Sequence, residues 1–493
     1  METFVSIRPL IAILASLLVI PLILLSRHSA NVREGWTLAA ATLKFLVVAS
    51  MLPLILDGIQ IEYTIAPVLP DFPIALRVDA MGLLFGLVSS FLWIITSLYS
   101  IGYMRGLQEH AQTRYYCFFA LSLSATIGVA FSANLLTLYL FYEILSLSTY
   151  PLVTHHQDKE ARGSGRKYLF FILGASIGMA LPAMIFIAYK TGTLTFTPQG
   201  IIAGKIDPQA TTILIFLFIF GFAKAAVMPF HGWLPAAMVA PTPVSALLHA
   251  VAVVKVGVFC IGRVITGIFG TELLASLGLS TVICVVAAVT ILVSSLIAMS
   301  QDGLKRRLAF STISQLSYIV LGLALLSKSG MVGGLLHIGM HAFGKITLFF
   351  CAGAIFVGAG VKNISEMAGI GRRMPVTMTA FFIGSLSVIG LPPCGGFISK
   401  WHLVLGTIEA DQIFMLVVLL VSSLLNAAYF LPIVYRAFFC SPDQSMFTGP
   451  IKEAPRWCLI PPLLTAGLSM VLFFYPQPFL WLARLAVAGI IGE

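Results

Sequence analysis

The sequence predicts an all-α, polytopic membrane protein with about 14 transmembrane helices of ~20 residues each. The chain has 493 residues, of which 59% are hydrophobic and only 10% are charged, and its mean hydropathy is +1.00. Apolar runs long enough to cross a bilayer recur from end to end. A β-barrel does not fit, because its strands would alternate with a period of two whereas these runs are apolar on all sides.

The predicted spans follow from these runs and are separated by short polar loops. They lie at residues 4–25, 37–56, 79–102, 115–131, 133–154, 167–190, 210–228, 241–266, 273–299, 309–326, 331–358, 376–403, 411–438 and 457–478. We interpret residues 4–25 as a retained first span rather than a signal peptide, because Arg27 and Arg33 follow it directly. The two longest loops, at 57–78 and 191–209, could each hold a small hairpin.

Basic residues cluster in the loops after odd-numbered spans, for example Arg105, Lys305 and Lys362. The positive-inside rule therefore predicts that these loops are cytoplasmic and that both termini lie outside, in the plasma (inner) membrane of a prokaryote. The same distribution explains the net charge of +10 without a nucleic-acid partner.

Several classes of chemistry lack their sequence signals. The seven cysteines show no CxxC spacing, so neither an iron–sulfur cluster nor a zinc ribbon is indicated. GxxxxGK[ST] and a GxGxxG after a strand are also missing. GxSxG occurs only as GASIG at 174–178, inside a predicted apolar span rather than at a strand-to-helix turn. We therefore expect no cofactor and no redox or hydrolytic chemistry in this chain.

Two predicted spans are interrupted by proline: AKAAVMPFHGWLP at 223–235 and VIGLPPCGGFISK at 388–400. The expected helix breaks are at Pro229, Pro235, Pro392 and Pro393. Interrupted spans in separate parts of a chain indicate a repeated transporter core with its site at the repeat interface, although ordinary proline kinks are the alternative.

This pattern predicts four units. They are three N-terminal helices (1–114), a five-helix repeat (115–266), an inverted five-helix repeat (267–438) and a C-terminal helix (439–493). An odd number of spans in the first repeat is what makes the second one inverted.

Glu143 and Lys224 are candidate partners, because each lies in an otherwise apolar span and an unpaired buried charge is costly. Such a pair could gate proton transfer, or it could be a static salt bridge between two helices. Lys255 has no acidic residue in its own helix and could exchange protons. His249 could relay between lysines, although a histidine satisfied in the core is nearly as plausible.

His337, His341 and Lys345 repeat at i, i+4 and i+8, which aligns them on one helical face about 6 Å apart as a possible proton wire. A metal or haem site is less favoured, because no third ligand stands nearby and one helix cannot ligate both sides of a haem. Lys400 follows the second break and suits an exit position. The alternative is that it extends to the membrane interface beside Trp401.

Four stretches carry a resemblance to a known family: NLLTLYLFYEILSLSTYPL, FAKAAVMPFHGWLPAAMVAPTPVSALLHAVAVVKVG, QDGLKRRLAFSTISQLSYI and GLPPCGGFISKW. Over roughly residues 115–435 the chain resembles the antiporter-like subunits of respiratory complex I, Mrp-type Na⁺/H⁺ antiporters and energy-converting membrane hydrogenases. Lysine at 400 is more similar to the D-type component of Mrp antiporters and to the hydrogenase homologues than to one of the complex I subunits. Because the chain stops soon after the last span, we expect it to lack the lateral helix of the largest complex I subunit of this type.

The resemblance implies two inverted five-helix repeats and a proton path along the membrane midplane. In that path Glu143 pairs with Lys224, Lys255 is central and Lys400 lies on the second broken helix. The resemblance assigns the relay to His249, His337 and His341. It also implies other antiporter-like and small multi-span subunits as partners, with H⁺, and in an Mrp assembly Na⁺, as the transported ions.

Two alternatives from other classes remain at this point. One is a membrane oxidoreductase subunit that binds quinone or haem directly. The other is a structural subunit whose ionisable residues only hold helices together.

Overall fold

The computed structural model describes residues 2–69, 71–247, 251–441 and 452–492, and this part of the chain is largely helical. His249, which the sequence suggested as a relay, lies outside the described residues. The first elements are β1 (Thr3–Val5), α1 (Arg8–Leu17), α2 (Val19–Leu25), α3 (Ala30–Ala49), α4 (Leu52–Leu56), β2 (Gln60–Leu69), β3 (Phe72–Val78), α5 (Ala80–Gly106), α6 (Gln112–Ala130) and α7 (Leu135–Val153).

The middle of the chain contains shorter and interrupted helices. They are α8 (Lys159–Ala175), α9 (Leu181–Thr191), α10 (Pro208–Gly221), α11 (Trp233–Ala236), α12 (Thr242–Leu247), α13 (Val253–Val264) and α14 (Thr271–Ser276). A π-helical turn at Ser176–Ala180 joins α8 to α9, and another at Ile265–Phe269 follows α13.

The last third is dominated by long helices. They are α15 (Leu279–Ser300), α16 (Leu304–Ala324), α17 (Lys328–Ala359), α18 (Ile370–Arg373), α19 (Pro375–Ile389), α20 (Gly396–Glu409), α21 (Ile413–Phe439), α22 (Arg456–Phe474) and α23 (Gln477–Ile491).

Ten helical segments of the described chain are long and apolar enough to cross a bilayer, which makes this a multi-pass membrane protein. They are Arg8–Leu25, Ala30–Leu56, Ala80–Gly106, Leu135–Val153, Lys159–Thr191, Leu279–Ser300, Leu304–Ala324, Lys328–Ala359, Ile413–Phe439 and Arg456–Phe474. The predicted spans at 115–131, 210–228, 241–266 and 376–403 coincide instead with α6 or with shorter helices.

The described residues include a three-stranded sheet in the order β1-β2-β3. β2 and β3 pair antiparallel, so the loop at 57–78 holds the hairpin that its length suggested. β1 pairs with β2 in parallel. Residues 4 and 5, which the sequence assigned to the first span, therefore belong to a strand, and the first helix begins at Arg8. The loop at 191–209 forms no hairpin among the described residues and contributes only an isolated bridge between Thr195 and Asn134.

Side-chain caps fix where several long helices begin. Asp79, Asn134, Asp158 and Asp207 each accept a hydrogen bond from the backbone N–H three residues later, at the starts of α5, α7, α8 and α10. Ser327 caps α17 in the same way. A cap of this kind satisfies one of the free N–H groups of the first turn and typically contributes about 1 kcal/mol.

Helix α17 is the centre of the second half of the molecule. It runs for 32 residues and packs against α16, α19, α20 and α22. The most apolar stretch of α16 is 94% buried and that of α17 is 78% buried, whereas the corresponding stretches of α21 and α22 are 39% buried. The titratable residues His337, His341 and Lys345 in the middle of α17 are buried, whereas Lys328 at its start is exposed.

Candidate functional site

The first helix break includes Pro229, one of the two prolines expected to interrupt this span, whereas Pro235 lies inside the short helix α11. Helix α10 ends at Gly221, a single 3₁₀ turn covers Ala223–Ala225, and regular α-helix resumes only at Trp233. The indole N–H of Trp233 donates a 2.8 Å hydrogen bond to the carbonyl of Ala223 and so satisfies one group that the break exposes.

Lys224 belongs to this unwound turn and is completely buried. Its ammonium donates to the Tyr142 carbonyl at 2.7 Å and to the Ser146 hydroxyl at 2.6 Å, and it sits 3.1 Å from the centroid of the Tyr142 ring. Glu143 lies on α7, between Tyr142 and Ser146. Both oxygens of its carboxylate are buried without a hydrogen-bond partner in the described part of the chain. The expected direct Glu143–Lys224 contact is not formed, because the lysine is held by a backbone carbonyl and a hydroxyl of α7 instead.

Helix α13 approaches the first break at a glycine. A Cβ atom at Gly257 would lie 2.0 Å from the backbone nitrogen of Ala225 and 2.3 Å from the carbonyl carbon of Lys224. Only glycine permits this approach without a shift of the backbone. The contact fixes Lys255, two residues earlier on α13, close to the segment that carries Lys224.

Lys255 reaches across to α17. Its Nζ lies 2.8 Å from Nδ1 of His341, and both side chains are buried. The other ring nitrogen of His341 and the ammonium of Lys345, one turn further along α17, are buried without a hydrogen-bond partner among the described residues.

The two histidines of α17 lie on one face of the helix, as their i, i+4 spacing predicted, and the structure shows in addition that their rings are stacked. The ring centroids of His337 and His341 are 5.4 Å apart with an interplanar angle of 15°. His337 Nε2 lies 3.1 Å from Oε1 of Gln315, to which an Nε2–H would donate, and Nδ1 lies 2.9 Å from the Ser399 hydroxyl. On its other side the His337 ring stacks on Tyr318, with centroids 5.5 Å apart. A metal would compete with these contacts for the histidine nitrogens.

The second break separates α19 from α20. Helix α19 ends at Ile389, and the following Gly390 has a φ of +89°, a left-handed conformation that glycine adopts readily. Lys400, one turn into α20, folds back so that its ammonium donates to the Ile389 carbonyl at 2.9 Å and lies 4.8 Å from the Tyr318 ring centroid. Lys400 is 8% exposed and its ammonium turns back into the protein, whereas Trp401 beside it is 52% exposed.

The structure therefore connects four of the eight candidates, together with Tyr318, in one series of contacts, which we call the polar line. It comprises Lys255, His341, His337, Tyr318 and Lys400 and draws on helices α13, α17, α16 and α20. Lys224 and Glu143 lie near its Lys255 end without a direct hydrogen bond to it, and Lys345 is one helical turn from His341. Among the described residues none of the four lysines of this region (Lys224, Lys255, Lys345 and Lys400) forms an ion pair.

Three members of the site were not singled out from the sequence. Tyr318 and Gln315 lie in the stretch QDGLKRRLAFSTISQLSYI, and Ser399 lies in GLPPCGGFISKW. Their neutral side chains carry no signal of the kind that a charged residue gives in an apolar span.

A further buried lysine, Lys44 on α3, was also missed. It is fully buried, and its ammonium donates to the Ser16 hydroxyl at 2.5 Å and to the Leu123 carbonyl at 2.9 Å. The sequence does carry a signal for it, since Lys44 interrupts the apolar run LAAATLKFLVVAS.

A cavity of about 750 Å³ lies beside the first break. Its walls include His231 and Gly232 of the break, Glu109 and Lys362 from two loops, and Lys305 from the first turn of α16. Residues from separate parts of the chain thus line one cavity, and the side of the membrane that it faces stays a prediction.

The broken helices and the buried lysines define a class of protein, the antiporter-like membrane subunits. Residues 132–426 match the family described as "NADH:quinone oxidoreductase/Mrp antiporter, TM". The chain belongs to this family.

Individual relatives come from two kinds of complex. The chain is 34% identical to the N subunit of NADH-quinone oxidoreductase from Desulforudis audaxviator over 84% of this chain and 83% of that protein. It is 30% identical to the A-type component of the Na⁺/H⁺ antiporter from Alkalihalophilus pseudofirmus over 94% of this chain but only 60% of that protein. The chain therefore spans less than two thirds of the length of that antiporter component.

Two solved structures share the fold. One is a chain of the membrane-bound sulfane sulfur reductase, an archaeal respiratory membrane complex, with a TM-score of 0.88 and 24% identity over 99% of this chain and 98% of that chain. The other is a chain of the Mrp complex from Dietzia sp. DQ12-45-1b, with a TM-score of 0.86 and 22% identity over 98% of both chains. The homologues and neighbours are thus subunits of multi-subunit membrane complexes.

Proposed function

We propose that this protein moves protons across a prokaryotic inner membrane as one subunit of a multi-subunit complex. The observation that carries the proposal is the polar line, in which buried titratable groups from four helices follow one another through the protein interior. Charged side chains at membrane depth are costly and usually mark an ion or proton pathway. Structural polar contacts alone would not call for four buried lysines without acidic partners.

In this proposal Lys255 is the central proton carrier. Its contact with His341 offers a step of 2.8 Å to an imidazole that can both accept and donate a proton. His337 and Lys400 continue the route towards the second break. The partnerless nitrogens of His341 and Lys345 suit water molecules that would complete the wire, because buried polar groups without protein partners are commonly bridged by water.

Lys224 and Glu143 would regulate this carrier rather than conduct through a fixed pair. The charge of Glu143 acts on Lys224 through low-dielectric surroundings, and the packing of Gly257 against the break couples the position of Lys224 to α13. His249, which precedes α13 and lies outside the described residues, stays a candidate for the relay on sequence grounds alone.

The cavity beside the first break would supply protons from the cytoplasmic side to the Lys255 end of the polar line. The same proposal includes fourteen spans, ten of which form two inverted repeats of five, and places both termini outside. The two breaks, each with a nearby lysine, and the basic residues that line one cavity support this arrangement.

Partner subunits would provide the driving force, either redox chemistry or a sodium gradient. Relatives named as a quinone oxidoreductase subunit and as a Na⁺/H⁺ antiporter subunit support both assemblies. Direct quinone binding by this chain is the second candidate function, and no feature of the described residues favours it over proton transport.

The test is proton uptake by proteoliposomes that contain the intact complex. We expect Lys255→Met to reduce uptake at least tenfold while the complex assembles normally. Lys190→Met, at an exposed position of α9, is the matched control and should transport like the unmodified protein. Undiminished uptake by an assembled Lys255→Met complex would show that the lysine is only structural.

A further inference from the structure

A cluster of histidines lies outside the polar line, at the mouth of the cavity. The loop after α5 contributes Glu109 and His110, and the loop after α7 contributes His155 and His156. Glu109 and His156 line the cavity itself. None of these residues takes part in the proton route proposed above.

The distances between the ligand atoms are close to those of a metal site. One carboxylate oxygen of Glu109 lies 3.6 Å from Nδ1 of His156 and 3.7 Å from Nε2 of His155. The ligand atoms of Glu109, His110 and His156 all lie within 4.8 Å of one another. In a tetrahedral zinc site with bonds of roughly 2.0–2.1 Å, adjacent ligand atoms are about 3.4 Å apart. Small side-chain rotations would therefore bring three ligands to one ion.

His155 provides a second, independent observation. Its side chain is completely buried, and neither ring nitrogen makes a hydrogen bond of normal geometry to a described residue. A buried imidazole without partners is costly, and this one directs Nε2 towards the same Glu109 oxygen that faces His156. A plain Glu–His ion pair would explain Glu109 and one histidine but not a second, buried ring.

We propose that Glu109, His110 and His156 bind a Zn²⁺ ion, with His155 or water as the fourth ligand. Imidazole nitrogens with one carboxylate oxygen are a ligand set that suits zinc. The ion would lie on the wall of the cavity that leads to His231 and Gly232 in the first break. If the proposed function holds, the ion would add positive charge at the wall of this cavity and slow the access of protons to Lys224 and Lys255.

Binding is tested on the intact complex, independently of transport. Co²⁺ serves as the probe, because a four-coordinate Co²⁺ with nitrogen ligands gives strong visible absorption bands that Zn²⁺ then displaces. We expect one Co²⁺ per chain, with affinity at least tenfold weaker in His156→Gln and in Glu109→Gln, since even residues that only orient metal ligands change affinity by about 10–100-fold. His110→Gln, at an exposed position, gives the same readout if either other variant fails to assemble.

The matched control is His28→Gln, an exposed histidine at the turn between α2 and α3. It should bind Co²⁺ like the unmodified complex. Equal Co²⁺ affinity in all variants, or the same loss in His28→Gln as in His156→Gln, would overturn the metal site.

The effect on transport is measured as inhibition by Zn²⁺, with each variant normalised to its own zinc-free rate. Inhibition of the unmodified complex that disappears in His156→Gln supports the proposal. Tight binding without inhibition of an active complex would overturn the role of the ion while leaving the site intact. A complex that binds Co²⁺ yet never transports protons would instead contradict the proposed function.

Discussion

The two broken helices use their lysines differently. In the first break Lys224 belongs to the unwound turn and donates to α7, a separate helix, through the Tyr142 carbonyl. In the second break Lys400 lies inside the following helix and donates to the Ile389 carbonyl at the end of the preceding half. Lys224 thus connects the first break to the neighbouring helix α7, whereas Lys400 connects the two halves of its own broken helix. The first is thus the better placed to sense a charge on α7, and the second to hold the local backbone.

The largest expected effect tests what the two breaks have in common. Lys224→Met and Lys400→Met should each reduce proton uptake by the reconstituted complex at least tenfold, because each removes a titratable group near or on the polar line. Lys205→Met, at an exposed loop position, is the control. If only one of the two lysines matters, the breaks are not functional counterparts.

The glycines that hold each break test its packing. A Cβ atom at Gly257 would lie 2.0 Å from the Ala225 nitrogen, and one at Gly396 would lie 1.9 Å from the Ser387 carbonyl oxygen. We expect Gly257→Ala and Gly396→Ala each to destabilise the protein by about 1–3 kcal/mol, as overpacking of a closely packed core does, measured as a lower melting temperature in detergent.

Gly467 provides the matched control for both, because a Cβ atom there meets no other described atom within 4 Å. Gly467→Ala on α22 should leave the melting temperature unchanged or raise it, since alanine favours helix by about 1 kcal/mol over glycine. Similar melting temperatures for all three variants would mean that neither break depends on the close approach.

Stability should also separate the two lysines. Lys400→Met leaves the Ile389 carbonyl at a helix end without its donor, which should cost about 1–2 kcal/mol. Lys224→Met leaves the Tyr142 carbonyl inside α7 with its helical hydrogen bond, so the loss should be smaller. Thermal unfolding of the two purified variants measures the difference, and a larger loss for Lys224→Met would reverse the assignment.

The smallest effect sharpens the role of α7 in the first break. Ser146→Ala removes one hydrogen bond from the Lys224 ammonium, worth about 1 kcal/mol, and should change proton uptake less than tenfold. Ser148→Ala on the same helix does not touch Lys224 and serves as the control. A complete loss of uptake in Ser146→Ala alone would show that the hydroxyl itself is in the proton route.

The sequence was sufficient for features with strong local signals. Apolar runs located the long helices, Pro229 and the pair Pro392–Pro393 marked the two interrupted regions, and the spacing of His337 and His341 predicted that they share one face of a helix. Charge in an apolar span was enough to select Lys224, Lys255 and Lys400 as buried groups.

Contacts between distant helices could not be predicted, because they depend on how helices rotate and approach one another. The Lys255–His341 contact joins residues 86 positions apart. Glu143 and Lys224 were expected to touch, yet a carbonyl and a hydroxyl of α7 hold the lysine. The strand Thr3–Val5 is too short to show any period, so its last two residues were assigned to the first span.

The Lys255–His341 contact also has a consequence for how the chain enters the membrane during synthesis. At about 5–20 residues per second, the 86 residues between them delay His341 by roughly 4–17 s. During that interval α13 carries a lysine whose insertion into lipid costs about 2.5–3.5 kcal/mol. The break at Ala225, already made, offers α13 a docking surface at Gly257. Helix α13 can therefore dock within the first half of the chain, whereas Lys255 gains His341 as its partner only after the second half has been made.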